Sequence, residues 1–251
     1  MCPQDRVEVS AGRDQLVSYS RRMLDDGLAI GSAGNISVRL GGAGPRPGPD
    51  PEASAGGHPG GGARPGPEAG PGSVLITPSG VPYRDMRPGQ ICEIGLDGPA
   101  VAVPATASSE TPMHLAIYAA TDAGAVVHTH SPEVIAFSSV FDELPAIHYA
   151  IHALGWPVRV APYARFGSEE LASAAVLALN SRRAAILRSH GAVCYGRSLT
   201  EAYEHALLLE WLARTYRLAR ALGEPRILTD AQVREVAAEA RRRRYGEPPG
   251  Q

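Results

Sequence analysis

Apolar positions recur at helical spacing near the start of the chain. Leu16, Met23, Leu24 and Leu28 mark a helix over 10–28, with Ser10 placed to cap it and Gly27 to end it. Residues 34–40, Gly-Asn-Ile-Ser-Val-Arg-Leu, read as a turn entering a strand. Further on, short apolar runs predict strands at 73–77, 90–96, 125–130, 146–150, 157–161, 184–188 and 192–195. Longer periodic segments predict helices at 110–120, 132–138, 168–180, 199–222 and 230–244. The helix over 199–222 carries Ala206, Leu207, Leu209, Trp211, Leu212, Tyr216 and Leu218, enough apolar side chain to cover a sheet. Strands mixed with helices throughout, and several short strand–turn–strand units, predict an α/β layered domain. There is no internal repeat.

Residues 41–72 break the pattern. Of these 32 residues, 12 are Gly and 8 are Pro, with no aromatic residue and no Leu, Ile, Val or Met. Such a stretch buries too little apolar surface to offset its ordering entropy, which predicts a disordered insertion in a surface loop. It has no collagen period. Loop-closure entropy grows only as the logarithm of length, so the flanking strands, 36–40 and 73–77, remain free to pair as a hairpin. The expectation is one domain spanning 1–251, interrupted at 41–72 by the insertion.

Composition narrows the function classes. The hydrophobic fraction is 44% and the formal net charge is −2, so nothing draws the whole molecule to nucleic acid or to a membrane. The run Arg241 to Arg244 reads as a solvated helix end. Cys2, Cys92 and Cys194 are sparse and unpaired in sequence, which suits a reducing compartment. The N-terminal segment lacks the apolar core of a signal peptide, and no window approaches 18 unbroken apolar residues, so the expected location is cytoplasmic.

Chemistry concentrates at a few turns. Val-Val-His-Thr-His-Ser at 126–131 ends an apolar run in His-x-His. Side chains two apart on a strand share a face, so His128 and His130 are placed either to converge on a metal or simply to decorate a polar strand end. Arg-Ser-His-Gly-Ala at 188–192 puts His190 at another strand end, where taken alone it reads as a structural turn residue; with His128 and His130, three imidazoles and one open position make a catalytic zinc arrangement. Ser-Ser-Glu-Thr-Pro-Met-His at 108–114 opens a helix at Glu110, which is suited both to capping and to proton transfer beside a metal. His114 lies one turn further along, as a rival ligand or, on the ordinary reading, a packed or hydrogen-bonded residue. Gly-Asn-Ile-Ser at 34–37, Thr-Pro-Ser-Gly at 77–80 and the Ser108–Ser109 pair are small polar turns suited to anion binding. No Walker loop or GxGxxG supports nucleotide binding. Tyr149 follows an apolar run and Tyr245 sits in the Gly/Pro-rich tail, each with an ordinary structural reading. His58, His148, His152 and His205 have no partner motif.

Together these segments resemble the class II aldolase family, in the sense of L-fuculose-1-phosphate aldolase and L-ribulose-5-phosphate 4-epimerase. The motifs, in order, are Gly-Asn-Ile-Ser-Val-Arg, Ile-Thr-Pro-Ser-Gly-Val-Pro-Tyr, Ser-Ser-Glu, Val-Val-His-Thr-His, Pro-Ala-Ile-His-Tyr, Ala-Pro-Tyr-Ala-Arg-Phe-Gly and Ser-His-Gly. The resemblance implies a central, mostly antiparallel sheet sandwiched by helices, and a homotetramer with active sites at subunit interfaces. It implies one zinc ion per subunit on His128, His130 and His190, with Glu110 as acid/base and, in the resting enzyme, a further ligand. It implies a phosphate pocket of Asn35, Ser79, Gly80, Ser108 and Ser109, a hydroxyl-handling Tyr149, Phe166 on the aldehyde side, and Tyr245 closing the site.

The implied reaction is reversible retro-aldol cleavage of a ketose 1-phosphate to dihydroxyacetone phosphate and an aldehyde. Tyr149 or a water takes the C4 hydroxyl proton and Glu110 protonates C3. The chain contains no lysine, which excludes a Schiff-base aldolase. Within the family the alternatives are the 4-epimerase, which tends to carry aspartate where Glu110 stands, a methylthioribulose-1-phosphate dehydratase and a phospho-acid decarboxylase. A non-catalytic scaffold like the adducin head is a fourth reading, against which the retained histidines and Glu110 argue. Deletion of residues 42–71 is expected to leave folding and activity largely intact; a collapsed melting temperature or a lost tetramer in that variant would overturn the disordered-loop reading.

Overall fold

The computed structural model describes residues 3–41, 72–96 and 106–243. Eight strands form one sheet: β1 (Asn35–Leu40), β2 (Ser73–Ile76), β3 (Cys92–Gly95), β4 (Ala125–Thr129), β5 (Glu143–Leu144), β6 (Val158–Ala161), β7 (Ala184–Leu187) and β8 (Gly191–Gly196). Their order is β3-β2-β1-β4-β8-β7-β6-β5. The β6–β7 pair is parallel and the other pairs are antiparallel. Six α-helices accompany the sheet among the described residues: α1 (Pro3–Asp25), α2 (Thr111–Ala120), α3 (Pro132–Ser138), α4 (Glu169–Leu179), α5 (Leu199–Leu222) and α6 (Asp230–Arg242). This is the expected mixed α/β architecture with a mostly antiparallel central sheet.

The middle strands bury both faces, which explains their unbroken apolar runs. Ala125 and Val127 of β4, Ala184 and Ile186 of β7, and Ala192 and Cys194 of β8 enter a core with Leu16 and Met23 of α1, Phe137 of α3 and Leu209 and Leu212 of α5. Their alternates, Val126, Ala185, Leu187, Val193 and Tyr195, enter a second core with Met113 and Ile117 of α2 and Leu171 and Ala175 of α4. Strand alternation therefore sorts residues between two helical layers rather than between core and water. Odd positions of β1 and even positions of β4 face the α2–α4 layer, so Asn35, Ser37, His128 and His130 share that face. Asn35 and His128 stand directly opposite one another across the β1–β4 ladder.

The predicted hairpin forms, with Leu40 opposite Ser73. Residues 42–71, which the sequence assigns to the insertion, lie outside the described residues, as does Tyr245. Two expectations differ from the fold. Helix α1 begins near residue 3 rather than at Ser10, because its first turns carry no apolar stripe by which to see it: Val7 is exposed and Val9 only partly buried. The strand expected at 146–150 is instead a 3-10 turn over Tyr149–Ala153, preceded by the short β5. His148 caps the turn through its ring nitrogen, accepting from the Ala150 amide at 3.2 Å, while Ala146, Ile151 and Leu154 fill the core. An apolar run of this length satisfies either geometry. Among the described residues, no helix is long and apolar enough to cross a membrane.

Candidate active site

Three chain segments bring four side chains to one point at the end of the sheet. His128 and His130 come from the end of β4, His190 from the turn before β8, and Glu110 from the residue preceding α2. One ligand atom from each lies within 4.8 Å of every other. The three ring centroids are 4.8–4.9 Å apart in edge-to-face pairs. His128 Nε2 is 3.0 Å from His130 Nε2 and 2.8 Å from Glu110 Oε2, and His190 Nε2 is 3.2 Å from Glu110 Oε1.

Local backbone chemistry fixes each ligand. His128 is fully buried, and its Nδ1–H donates to the Ala192 carbonyl at 2.9 Å, which directs Nε2 into the cluster. The His130 amide donates to the Leu28 carbonyl at 2.9 Å. Ser189, just before His190, sits in the left-handed region at φ 54°, and its amide donates to Ser138 Oγ at 2.9 Å. Gly191 follows: a Cβ there would lie 1.9 Å from the Thr129 carbonyl oxygen, so only glycine lets the two histidine-bearing segments approach. Gly34 plays a similar part, at φ +79° with the His128 carbonyl 2.6 Å from the position of a Cβ.

Glu110 occupies the cap position of α2 but makes no capping hydrogen bond; its carboxylate turns into the cluster instead. Burial pushes this carboxyl up, yet the charge and hydrogen bond of His128, the charge of His190 and the hydrogen bond from Asn35 outweigh that and hold it below its ordinary value. His128 is lowered by burial but raised more by Glu110, for a net rise. Burial and the neighbouring His128 charge push His130 down to about 3 and His190 to about 4, so both present neutral imidazoles.

Glu110 Oε1 is buried and accepts no hydrogen bond, although His190 Nε2 is only 3.2 Å away. That proximity is a meeting of electron-pair donors rather than a hydrogen bond. Three imidazole nitrogens and a carboxylate oxygen, all aimed inward, fit a divalent cation of the zinc type.

A cavity of about 340 Å³ opens beside the cluster. Its wall includes Asn35, Ser79, Gly80, Ser108 and Ser109, with Glu110, His130 and His190 at the base and Phe166 at the rim. The predicted phosphate residues are thus gathered in one place. The Ser79 and Ser108 amides already donate to the Thr106 and Thr77 carbonyls, so backbone donation there is partly committed to the protein and the side-chain hydroxyls are the apt donors. No cationic side chain lines this cavity among the described residues. Tyr149 is not part of its own chain's cavity: it is half exposed, stacked on His148, which meets Trp211 edge-on.

Tyr163 and Ser189 also line the cavity and were not singled out from sequence; Tyr163 lies within the Ala-Pro-Tyr-Ala-Arg-Phe-Gly segment that carries Phe166. His114 is no rival ligand. It is fully buried, held down to about 3 by burial and then by the charge of His128, and its Nε2 is 2.5 Å from Asn35 Oδ1.

Comparison with known proteins places these features in context. Residues 14–217 match the family model described as "Class II Aldolase and Adducin N-terminal domain". A 5-deoxy-D-ribulose 1-phosphate aldolase of Bacillus thuringiensis serovar kurstaki is 32% identical over 226 residues, covering 90% of this chain and 93% of that protein. A 5-methylthioribulose-1-phosphate/5-deoxyribulose-1-phosphate aldolase of Rhodospirillum rubrum is 33% identical over 236 residues, covering 93% and 91%. Among solved structures, an L-fuculose 1-phosphate aldolase superposes with a TM-score of 0.75 at 29% identity, covering 92% of this chain and 96% of that one.

The Gly191→Ala variant is expected to lose about 2–3 kcal/mol of stability through overpacking and to lose bound metal with it. Thermal melting and metal analysis check this; unchanged melting with full metal content would show that the two segments tolerate separation.

Proposed function

The chain belongs to the class II aldolase and adducin N-terminal domain family, and on that premise we propose that it is a zinc-dependent aldolase that cleaves a ketose 1-phosphate to dihydroxyacetone phosphate and an aldehyde. The observation that carries this reading is Glu110: a buried, ionised carboxylate that forgoes helix capping and leaves one oxygen without a hydrogen-bond donor beside three inward imidazoles. A scaffold has no use for that arrangement, whereas a carbon acid next to a Lewis acid needs it.

His128, His130 and His190, with Glu110 in the resting state, are the residues that would hold the metal. When bound, the cation supplies Lewis-acid polarisation of the substrate ketone. The hydroxyls of Ser79, Ser108 and Ser109, the Gly80 turn and the start of α2 receive the phosphate, since neutral donors and a helix N-terminus favour an anion. With the phosphate anchored, C3 of the ketose lies toward Glu110 and C4 toward the Phe166 rim. A base removes the C4 hydroxyl proton, the C3–C4 bond breaks and the aldehyde leaves. Glu110, once it has taken up a proton from solvent in the open cavity, gives that proton to C3 of the enediolate, while the C4 hydroxyl proton passes from the base to solvent; the reverse sequence builds the bond.

The base is assigned to Tyr149 from a second copy of the chain. Tyr149 lies outside its own cavity, on a half-exposed aromatic surface with Trp211, which suits a contact between copies. This supports the reading of a homotetramer with shared sites. A cytoplasmic setting accords with Cys92 and Cys194, which are both free.

Two relatives named for 5-deoxyribulose 1-phosphate and one structure named for L-fuculose 1-phosphate define the substrates to try. Zinc-loaded protein is expected to release dihydroxyacetone phosphate from at least one of them, and chelation is expected to abolish the release. No release from either by metal-replete protein would remove the aldolase reading in favour of dehydratase, epimerase or decarboxylase chemistry. Glu110→Gln is expected to keep zinc while lowering kcat roughly 100- to 10,000-fold; zinc loss equal to that of His128→Ala would make Glu110 chiefly a ligand. Mixing inactive Glu110→Gln and Tyr149→Phe proteins is expected to restore activity through hybrid sites, and failure of subunit-exchanged mixtures to do so would place both groups in one chain.

A further inference from the structure

Behind Glu110 runs a line of buried polar side chains that the metal site does not use. Asn35 Nδ2 donates to Glu110 Oε2 at 2.9 Å. Asn35 Oδ1 is 2.5 Å from His114 Nε2, His114 Nδ1 is 2.7 Å from Ser37 Oγ, and Ser37 Oγ is 2.9 Å from Tyr118 Oη. All are buried, and Ser37, His114 and Tyr118 have at most 1% of their surface exposed.

The line exists because two periods match. Asn35 and Ser37 are two apart on β1, a rise of about 6.6 Å. Glu110, His114 and Tyr118 are four apart along α2 and its first flanking residue, a rise of about 6 Å per step. A strand face and a helix stripe with nearly equal spacing interleave tooth by tooth.

Chemistry then gives the line a single direction. A carboxylate only accepts, so Asn35 presents its amide nitrogen to Glu110 and its oxygen to His114. That oxygen only accepts, so His114 carries its proton on Nε2. Nδ1 must then accept from the Ser37 hydroxyl, and the Ser37 oxygen accepts from the Tyr118 hydroxyl. Each donor points toward Glu110, and each tautomer is fixed by the one before it. Asn35, which the sequence places in the phosphate pocket, thereby has its amide bridged between Glu110 and the core.

We infer that His114 is a positioning residue, which holds Asn35, and through it the Glu110 carboxylate, in the one orientation that carries the C3 proton. This rests on the reading of Glu110 as the proton carrier. His114 touches neither substrate nor metal; its contribution is to deny the Asn35 amide its other rotamers.

The test uses zinc-loaded protein, and His114→Leu and His114→Gln variants. The proton step is read by exchange of the hydroxymethyl hydrogen of dihydroxyacetone phosphate with solvent deuterium, which needs no carbon–carbon cleavage. His114→Leu is expected to keep its zinc and its KM, and to lose kcat and deuterium exchange together, roughly 10- to 100-fold. His114→Gln, which retains a donor toward Asn35, is expected to recover most of both. Exchange by a folded His114→Leu variant at the wild-type rate would overturn the assignment, as would a Gln variant no better than Leu.

Side-chain 15N spectra of the wild-type zinc protein supply a readout independent of turnover and of any variant's folding. They are expected to show His114 as the Nε2–H tautomer, with its resonances shifted in Glu110→Gln. An Nδ1–H tautomer, or resonances indifferent to residue 110, would refute the relay. Wild-type protein that processes no ketose phosphate yet shows the Nε2–H tautomer and the shift would instead retire the aldolase reading and leave the relay standing.

Discussion

The fold exists to hold four electron-pair donors where they would rather not be. Three imidazoles and a carboxylate meet within 4.8 Å of one another in a largely buried corner, where mutual repulsion and desolvation both oppose them. A cation or a proton must reconcile them. Without a cation, the Glu110 charge favours the protonated form of His128 and the His128 charge favours the ionised form of Glu110. The rest of the architecture supplies the compression: a sheet buried on both faces, a glycine that admits the Thr129 carbonyl, and a left-handed Ser189 that turns His190 inward.

Sheet alternation also separates duties. Asn35, Ser37, His128 and His130 all project toward the α2–α4 layer, the layer that delivers Glu110 and His114. The opposite face meets α1, α3 and α5 through largely aliphatic packing. The site therefore borrows rigidity from a core it does not share, and its ligands stand in or directly beside the ends of β4, β8 and α2, which limits their freedom.

Much of this was legible in the sequence, for identifiable reasons. His-x-His at the end of an apolar run forces two imidazoles onto one face, because strand geometry leaves no other option. Helix 199–222 was legible to its ends because Ser198 caps it and its stripe is continuous. The first turns of α1 are not, since solvated turns carry no period, and 146–150 reads as a strand because aliphatic side chains fill a core equally well from a 3-10 turn. The Glu110 ambiguity, capping or chemistry, is one of side-chain rotamer, which no spacing encodes. The relay was half visible: His114 was placed on the Glu110 stripe, but its partners Ser37 and Tyr118 become neighbours only when a strand and a helix are laid together.

The cavity that gathers the serines has no cationic side chain in its described wall. A phosphate received there, as proposed, would meet hydroxyls, amides and a helix end, all short-ranged, from the described wall. Ionic strength screens Coulomb attraction over distance but leaves contact hydrogen bonds largely intact. On the proposed reading, the described wall would hold a phosphate by shape and contact, with no guanidinium fork among the described residues to grip it.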